Sequence, residues 1–83
     1  MQSRKADGTK IRRAREQADL TVDEMVAALK EREGIERHPD TIRNIELGHN
    51  RAGLKVLNAI ARVLDVPREE LLADEPSDAG VRT

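Results

Sequence analysis

The chain has 83 residues, no cysteine and no aromatic residue, and its 15 Lys and Arg against 16 Asp and Glu leave a formal net charge of -1. This length supports one small domain with a limited core, and the absence of thiols excludes disulfides and thiolate zinc sites. Without aromatic platforms the chain is not built to stack bases as RNA-recognition sheets and OB folds do, and its overall charge does not announce a nucleic-acid binder.

The opening stretch MQSRKADGTK carries charge with no apolar run behind it, so it does not read as a signal peptide. No segment approaches the roughly 18 apolar residues of a membrane span, and a cytoplasmic protein with no membrane partner is expected. Charge is clustered rather than spread. Between residues 4 and 15, Arg4, Lys5, Lys10, Arg12, Arg13 and Arg15 face Asp7 alone, while residues 74–83 hold Asp74, Glu75 and Asp78 against Arg82. Local clusters of this kind steer charged partners. The chain therefore divides into a basic arm over residues 1–8, a folded domain over 9–73 and an acidic tail over 74–83 with little to bury.

The apolar spacing is helical throughout, and nothing alternates as a strand would. Ile11, Ala14 and Ala18 mark a first helix from about Thr9 to Ala18. In LTVDEM, Thr21 and Glu24 form a capping box, and Leu20 and Met25 can staple across it. A second helix thus starts at Val22 and buries Val22, Met25, Val26 and Leu29. The stretch KEREG continues it as a solvated face, and Gly34 is its C-terminal stop. The segment 30–37 is either extra helix or loop. Pro39 suits a first helical position, so a third helix runs from about Pro39 to Leu47, with Gly48 behind it. Leu54, Leu57, Ala61 and Leu64, flanked by Val56 and Ile60, give a fourth. VPREELLAD gives a short fifth, opened by Pro67, with Leu71 and Leu72 folding back.

Two charges in this pattern face inward. Glu46 lies four residues after Ile42 on the buried side of the third helix, and Arg15 lies four after Ile11 on the first. They form one partly buried pair, or both reach water at the rim. The polar residues at the front of the third helix are His38, Asp40, Arg43 and Asn44. His38 and His49 are eleven positions apart with no cysteine near, so no metal site is expected. No cofactor is expected either. Catalysis has no foothold, because there is no nucleophile beside a histidine base and no Gly-rich phosphate loop after a strand.

Four pieces of the chain, in order, resemble the XRE family of Cro and lambda-repressor-type helix-turn-helix proteins. They are Ile11-Arg12-Arg13-Ala14-Arg15, Leu20-Thr21 through Met25-Val26, Thr41-Ile42-Arg43-Asn44-Ile45-Glu46-Leu47-Gly48, and Ala61-Arg62-Val63-Leu64-Asp65-Val66. The resemblance covers residues 8 to 73. It implies an all-α, lambda-repressor-like bundle of about five short helices. It also implies a pairing of Arg15 with Glu46 and a third helix that enters the major groove of double-stranded DNA. Departures are a longer join between the second and third helices, His38 where Ser or Thr is usual, Val26 for alanine and Ala52 for proline.

By that resemblance Pro39, Asp40 and Asn44 stand at base-contacting positions, with His38 and Arg43 on the same side. Asn can read adenine, Arg guanine, and a carboxylate can accept from cytosine N4. For Asp40 the alternative is a simple preference of acids for the first helical turn; for Arg43 and Asn44 it is an ordinary solvated face. Lys10, Arg12, Thr21, Asn50 and Arg51 are candidates for phosphate contact, as are the amides opening the second helix. The function implied is a sequence-specific transcriptional regulator of repressor type, working as a homodimer. Two alternatives stand beside it. One is an antitoxin-like autoregulator that also binds a toxin; the other is a protein-interaction module that kept the fold without binding DNA.

Overall fold

A computed structural model describes residues 5–73 of the chain. Arg4 and the acidic tail over 74–83 lie outside the described residues. Four α-helices follow one another: α1 (Gly8–Gln17), α2 (Val22–Glu33), α3 (Pro39–Glu46) and α4 (Leu54–Leu64). The fifth expected helix is a single 3₁₀ turn, Arg68–Leu71. Pro67 opens it without a side-chain cap, and four residues are too few to close an α-helical ladder.

Each helix begins and ends for a local reason. Asp7 caps α1 by accepting from the Thr9 amide at 2.9 Å, so the helix starts one residue earlier than the apolar spacing alone indicates. Thr21 and Glu24 exchange side-chain and backbone hydrogen bonds of 2.8 and 3.0 Å, a complete capping box for α2. Gly34 takes a left-handed φ of 67° and ends α2. The Ile35 amide then returns to the Leu29 carbonyl at 3.1 Å, one residue further back than in a Schellman closure. The segment 30–37 is thus both helix and connector: α2 runs through Glu33, and residues 35–37 lead into α3.

The core is wholly aliphatic and includes Ile11, Met25, Leu29, Ile42, Ile60 and Leu71, all fully buried. α2 packs on α3 and α4, and α1 packs on α3. Val22 and Val26, expected in the core, are only partly buried against it. Ala14 is likewise partial, Ala18 is exposed, and Leu54 at the first position of α4 is 63% exposed. Val22 and Leu54 open their helices and Ala18 follows the end of α1, where a side chain projects past the neighbouring helix and periodicity overstates its burial. Ile35, by contrast, is 5% exposed although it sits in a connector.

The two ends of the described chain meet. Ala6 and Leu72 form an antiparallel bridge, with the Asp7 amide donating to Leu71 at 2.8 Å and the Ala73 amide to Lys5 at 2.7 Å. Residues 5–7 of the basic arm are therefore fastened to the 3₁₀ turn.

Candidate nucleic-acid interface

α3 has two contrasting sides. Ile42, Ile45 and Glu46 are buried, while His38, Asp40 and Arg43 are exposed and Pro39 and Asn44 lie between. The exposed set stands on the first turns. The His38 Nδ1 accepts the Asp40 amide at 3.0 Å, so this imidazole caps the helix through an unprotonated nitrogen. The Arg43 Nη1 donates to the Asp40 carboxylate at 2.9 Å, and the other Asp40 oxygen stands 3.7 Å from His38 Nδ1. All five candidates for base contact share this end of one helix.

The frame that holds α3 is built from the buried side. Arg15 donates from Nε and Nη2 to the two oxygens of Glu46 at 2.7 and 3.0 Å. Its Nη1 donates to the Leu20 carbonyl at 2.8 Å. One guanidinium thus ties α1 to the end of α3 and to the turn before α2. The side chains are 11% and 5% exposed, and bidentate geometry of this kind is the strong form of an ion pair. The hydrogen bond and charge of Glu46, working against burial, raise the Arg15 pKa above its ordinary value.

Two further residues set the placement of α3 and escaped the reading of the sequence. A Cβ built on Gly8 would stand 2.3 Å from the Ile45 carbonyl oxygen and 2.4 Å from that of Glu46. Only glycine lets the first turn of α1 rest on the last turn of α3. Ile35 pins the connector to the core just before His38. Its apolar side chain in IERH was the available signal; Gly8 had none, because its neighbour is distant in sequence.

The candidates for phosphate contact separate into two groups. Asn50 and Arg51 are exposed and line a cleft with Lys5 and His49. The His49 and Asn50 amides both donate to the Asn44 carbonyl, at 2.8 and 3.2 Å, which ties this loop back to α3. Thr21, Arg12 and Lys10 each have a partner within the domain. The Thr21 hydroxyl accepts the Glu24 amide, Arg12 pairs with Glu16 at 3.1 Å, and the Lys10 ammonium donates to the Leu72 carbonyl at 3.0 Å. Among the described residues no group of three or more His, Cys, Asp or Glu side chains could hold a metal ion, and no helix is long and apolar enough to cross a membrane.

A family model described as a helix-turn-helix domain matches residues 8–73. Its span runs from the glycine that seats α1 on α3 to the last described residue. No curated protein and no solved structure matches the chain significantly.

Proposed function

This chain belongs to the helix-turn-helix domain family of the XRE and Cro type, and on that footing we propose that it is a sequence-specific regulator of transcription, a repressor that binds double-stranded DNA as a homodimer. One observation carries the proposal. α3 offers an outward side with His38, Asp40 and Arg43 exposed and Asn44 beside them, while its opposite side is locked to α1 through Glu46. A short helix held rigidly by one side and dressed with hydrogen-bonding groups on the other suits insertion into a major groove.

In this reading Asp40, Arg43 and Asn44 meet base edges, with His38 and Pro39 beside them. Asn50 and Arg51, with Lys5 next to them, meet phosphates on the flank. One such domain makes few contacts, and two copies on a two-fold site supply the affinity a single copy lacks. The test is selection of bound duplexes from a random pool, followed by affinity measurements at several salt concentrations. A DNA reader yields a palindromic consensus and weakens steeply with salt.

A second reading is favoured by the acids near α3. Glu36 pairs with Lys30 at 3.2 Å beside His38 and Pro39, in a cleft that Val26 and Arg37 also line. Such a mixed surface suits a protein partner, as in a module that recognises protein in place of DNA or an antitoxin that recognises both. No binding of duplex DNA even at low salt favours the module.

A further inference from the structure

We propose that Asp40 is a specificity-determining residue, which holds Arg43 as a reader of guanine; this rests on α3 being the base-reading helix. The starting observation is the bond from Arg43 Nη1 to Asp40 Oδ1, 2.9 Å long and one turn apart on α3. The two side chains are 52% and 70% exposed. An ion pair this open adds little to the stability of a fold, and neither partner belongs to the core. What the pair does fix is the position of a guanidinium on the outward side of the helix.

The geometry leaves the useful edge of that guanidinium available. Arginine carries five N–H donors in a planar fork. Asp40 takes one at Nη1, and among the described residues the Arg43 guanidinium makes no other hydrogen bond. Nε and Nη2 together form the parallel pair of donors that matches guanine O6 and N7. A guanidinium already held in place loses less side-chain freedom when it docks.

The carboxylate also acts against the wrong DNA. It cancels the charge of Arg43 locally, which withdraws that arginine from sequence-independent attraction to phosphates. Each base pair shows one amino group that a carboxylate could accept from, adenine N6 or cytosine N4, so the preference for G·C comes from the fork of Arg43 that Asp40 holds. Asp40 and Arg43 thus act as one unit, with a fork that matches guanine and little free charge for other DNA. His38, whose Nδ1 is occupied by the Asp40 amide, stands on the other side of the same carboxylate.

The experiment compares the full chain with Asp40→Asn and Asp40→Glu. Each is used to select duplexes from a random pool. Each is then titrated with the wild-type consensus, with that site carrying A·T for G·C at the selected step, and with a scrambled duplex, at several salt concentrations. Circular dichroism checks that the helices are intact. The wild type is expected to prefer G·C at one step of each half-site by about tenfold or more. Asp40→Asn is expected to lose most of that preference and to bind the scrambled duplex several times more tightly. Its salt slope should steepen by about one as Arg43 is released to phosphates. Asp40→Glu, which keeps the carboxylate, is expected to retain part of the preference. Equal weakening of all duplexes by Asp40→Asn overturns the proposal, since a plain role at the helix N-terminus does that. An unchanged G·C preference overturns it as well. A wild type without any base preference removes the reading of α3 and the proposal together, so the two failures are distinguishable.

Discussion

At the residue scale the central feature is the buried pair of Arg15 and Glu46. Its two bonds of 2.7 and 3.0 Å, with the third from Arg15 to the Leu20 carbonyl, use three donors of one guanidinium. Removing either partner strands the other charge in a nearly dry site, at a cost of about 3–5 kcal/mol. Glu46→Ala is therefore expected to cost about 3 kcal/mol or more in chemical denaturation, Arg15→Ala a similar amount, and the double variant less than their sum. Additive losses would show that the two act separately. The raised Arg15 pKa has a definite sign. The stability it represents is complete below the unfolded arginine value and is lost only as pH rises through the higher folded one. Arg15 thus adds no slope to stability across the neutral range. In the proposed complex, base reading and phosphate contact would also divide by residue. Asn44→Ala is expected to cost about 1–3 kcal/mol on the preferred site and to relax one position of it. Arg51→Ala should weaken selected and scrambled DNA alike, with a salt slope smaller by about one. Affinities for both duplexes across a salt series check the pair of expectations, and equal weakening by Asn44→Ala would count against base reading.

At the scale of the element, all four helices end alike, on a residue in the left-handed region. Gly34 and Gly48 have φ of 67° and 84°, where glycine is unstrained, but Asp19 and Asp65 hold φ of 59° and 58° after α1 and α4. The amides of Leu20 and Val66 return to the Arg15 and Ala61 carbonyls at 3.2 and 3.0 Å, each a Schellman closure. A side chain costs about 1–2 kcal/mol in this conformation, less for aspartate, and an acid at a helix C-terminus opposes the helix dipole. Asp65→Gly is expected to raise stability by about 0.5–1 kcal/mol, read as a higher midpoint in denaturant with an unchanged slope. A loss would mean that the carboxylate has a role of its own. Gly8 is the opposite case. There the added methyl of Gly8→Ala meets two backbone carbonyls of α3, which cannot move aside as a side chain could. The expected result is a loss of about 2 kcal/mol or more and weaker DNA binding, as α3 shifts on its seat.

At the scale of the whole molecule, charge and symmetry decide how it meets DNA. The net charge is -1, so attraction to a duplex depends on which basic groups stand near α3. Lys5, Arg51 and Asn50 share one cleft, whereas Arg12 is paired with Glu16. Arg12→Gln is accordingly expected to change DNA affinity less than Arg51→Gln does, measured side by side at low salt. In the proposed dimer, two copies on a palindrome would place their reading helices about 34 Å apart, one turn of the duplex. Sedimentation of the complex is expected to show two chains per selected site. Inserting half a helical turn between half-sites should then abolish tight binding. One chain per site, with affinity indifferent to spacing, would contradict the dimer.

The sequence by itself determined the helices and the direction of their faces, because caps and apolar spacing act over three or four residues. Thr21 with Glu24 announced the start of α2, Gly34 its end, and Ile42 and Ile45 the buried side of α3. The inward spacing of Arg15 and Glu46 was legible in the same way. Other features depended on contacts across the chain. Gly8 matters because the end of α3 lies on it, Ile35 because the core closes over a connector, and Lys10 because Leu72 comes back beside it. Val22 and Leu54 fell short of the burial their spacing implied, since a helix end extends beyond what covers it, and Val26, inside α2, lines a surface cleft with Lys30. Local rules set each helix and its apolar side. Where α3 stands, and which side chains it leaves facing outward, was decided only when distant segments packed together, because burial and close approach belong to pairs of segments and to neither one alone.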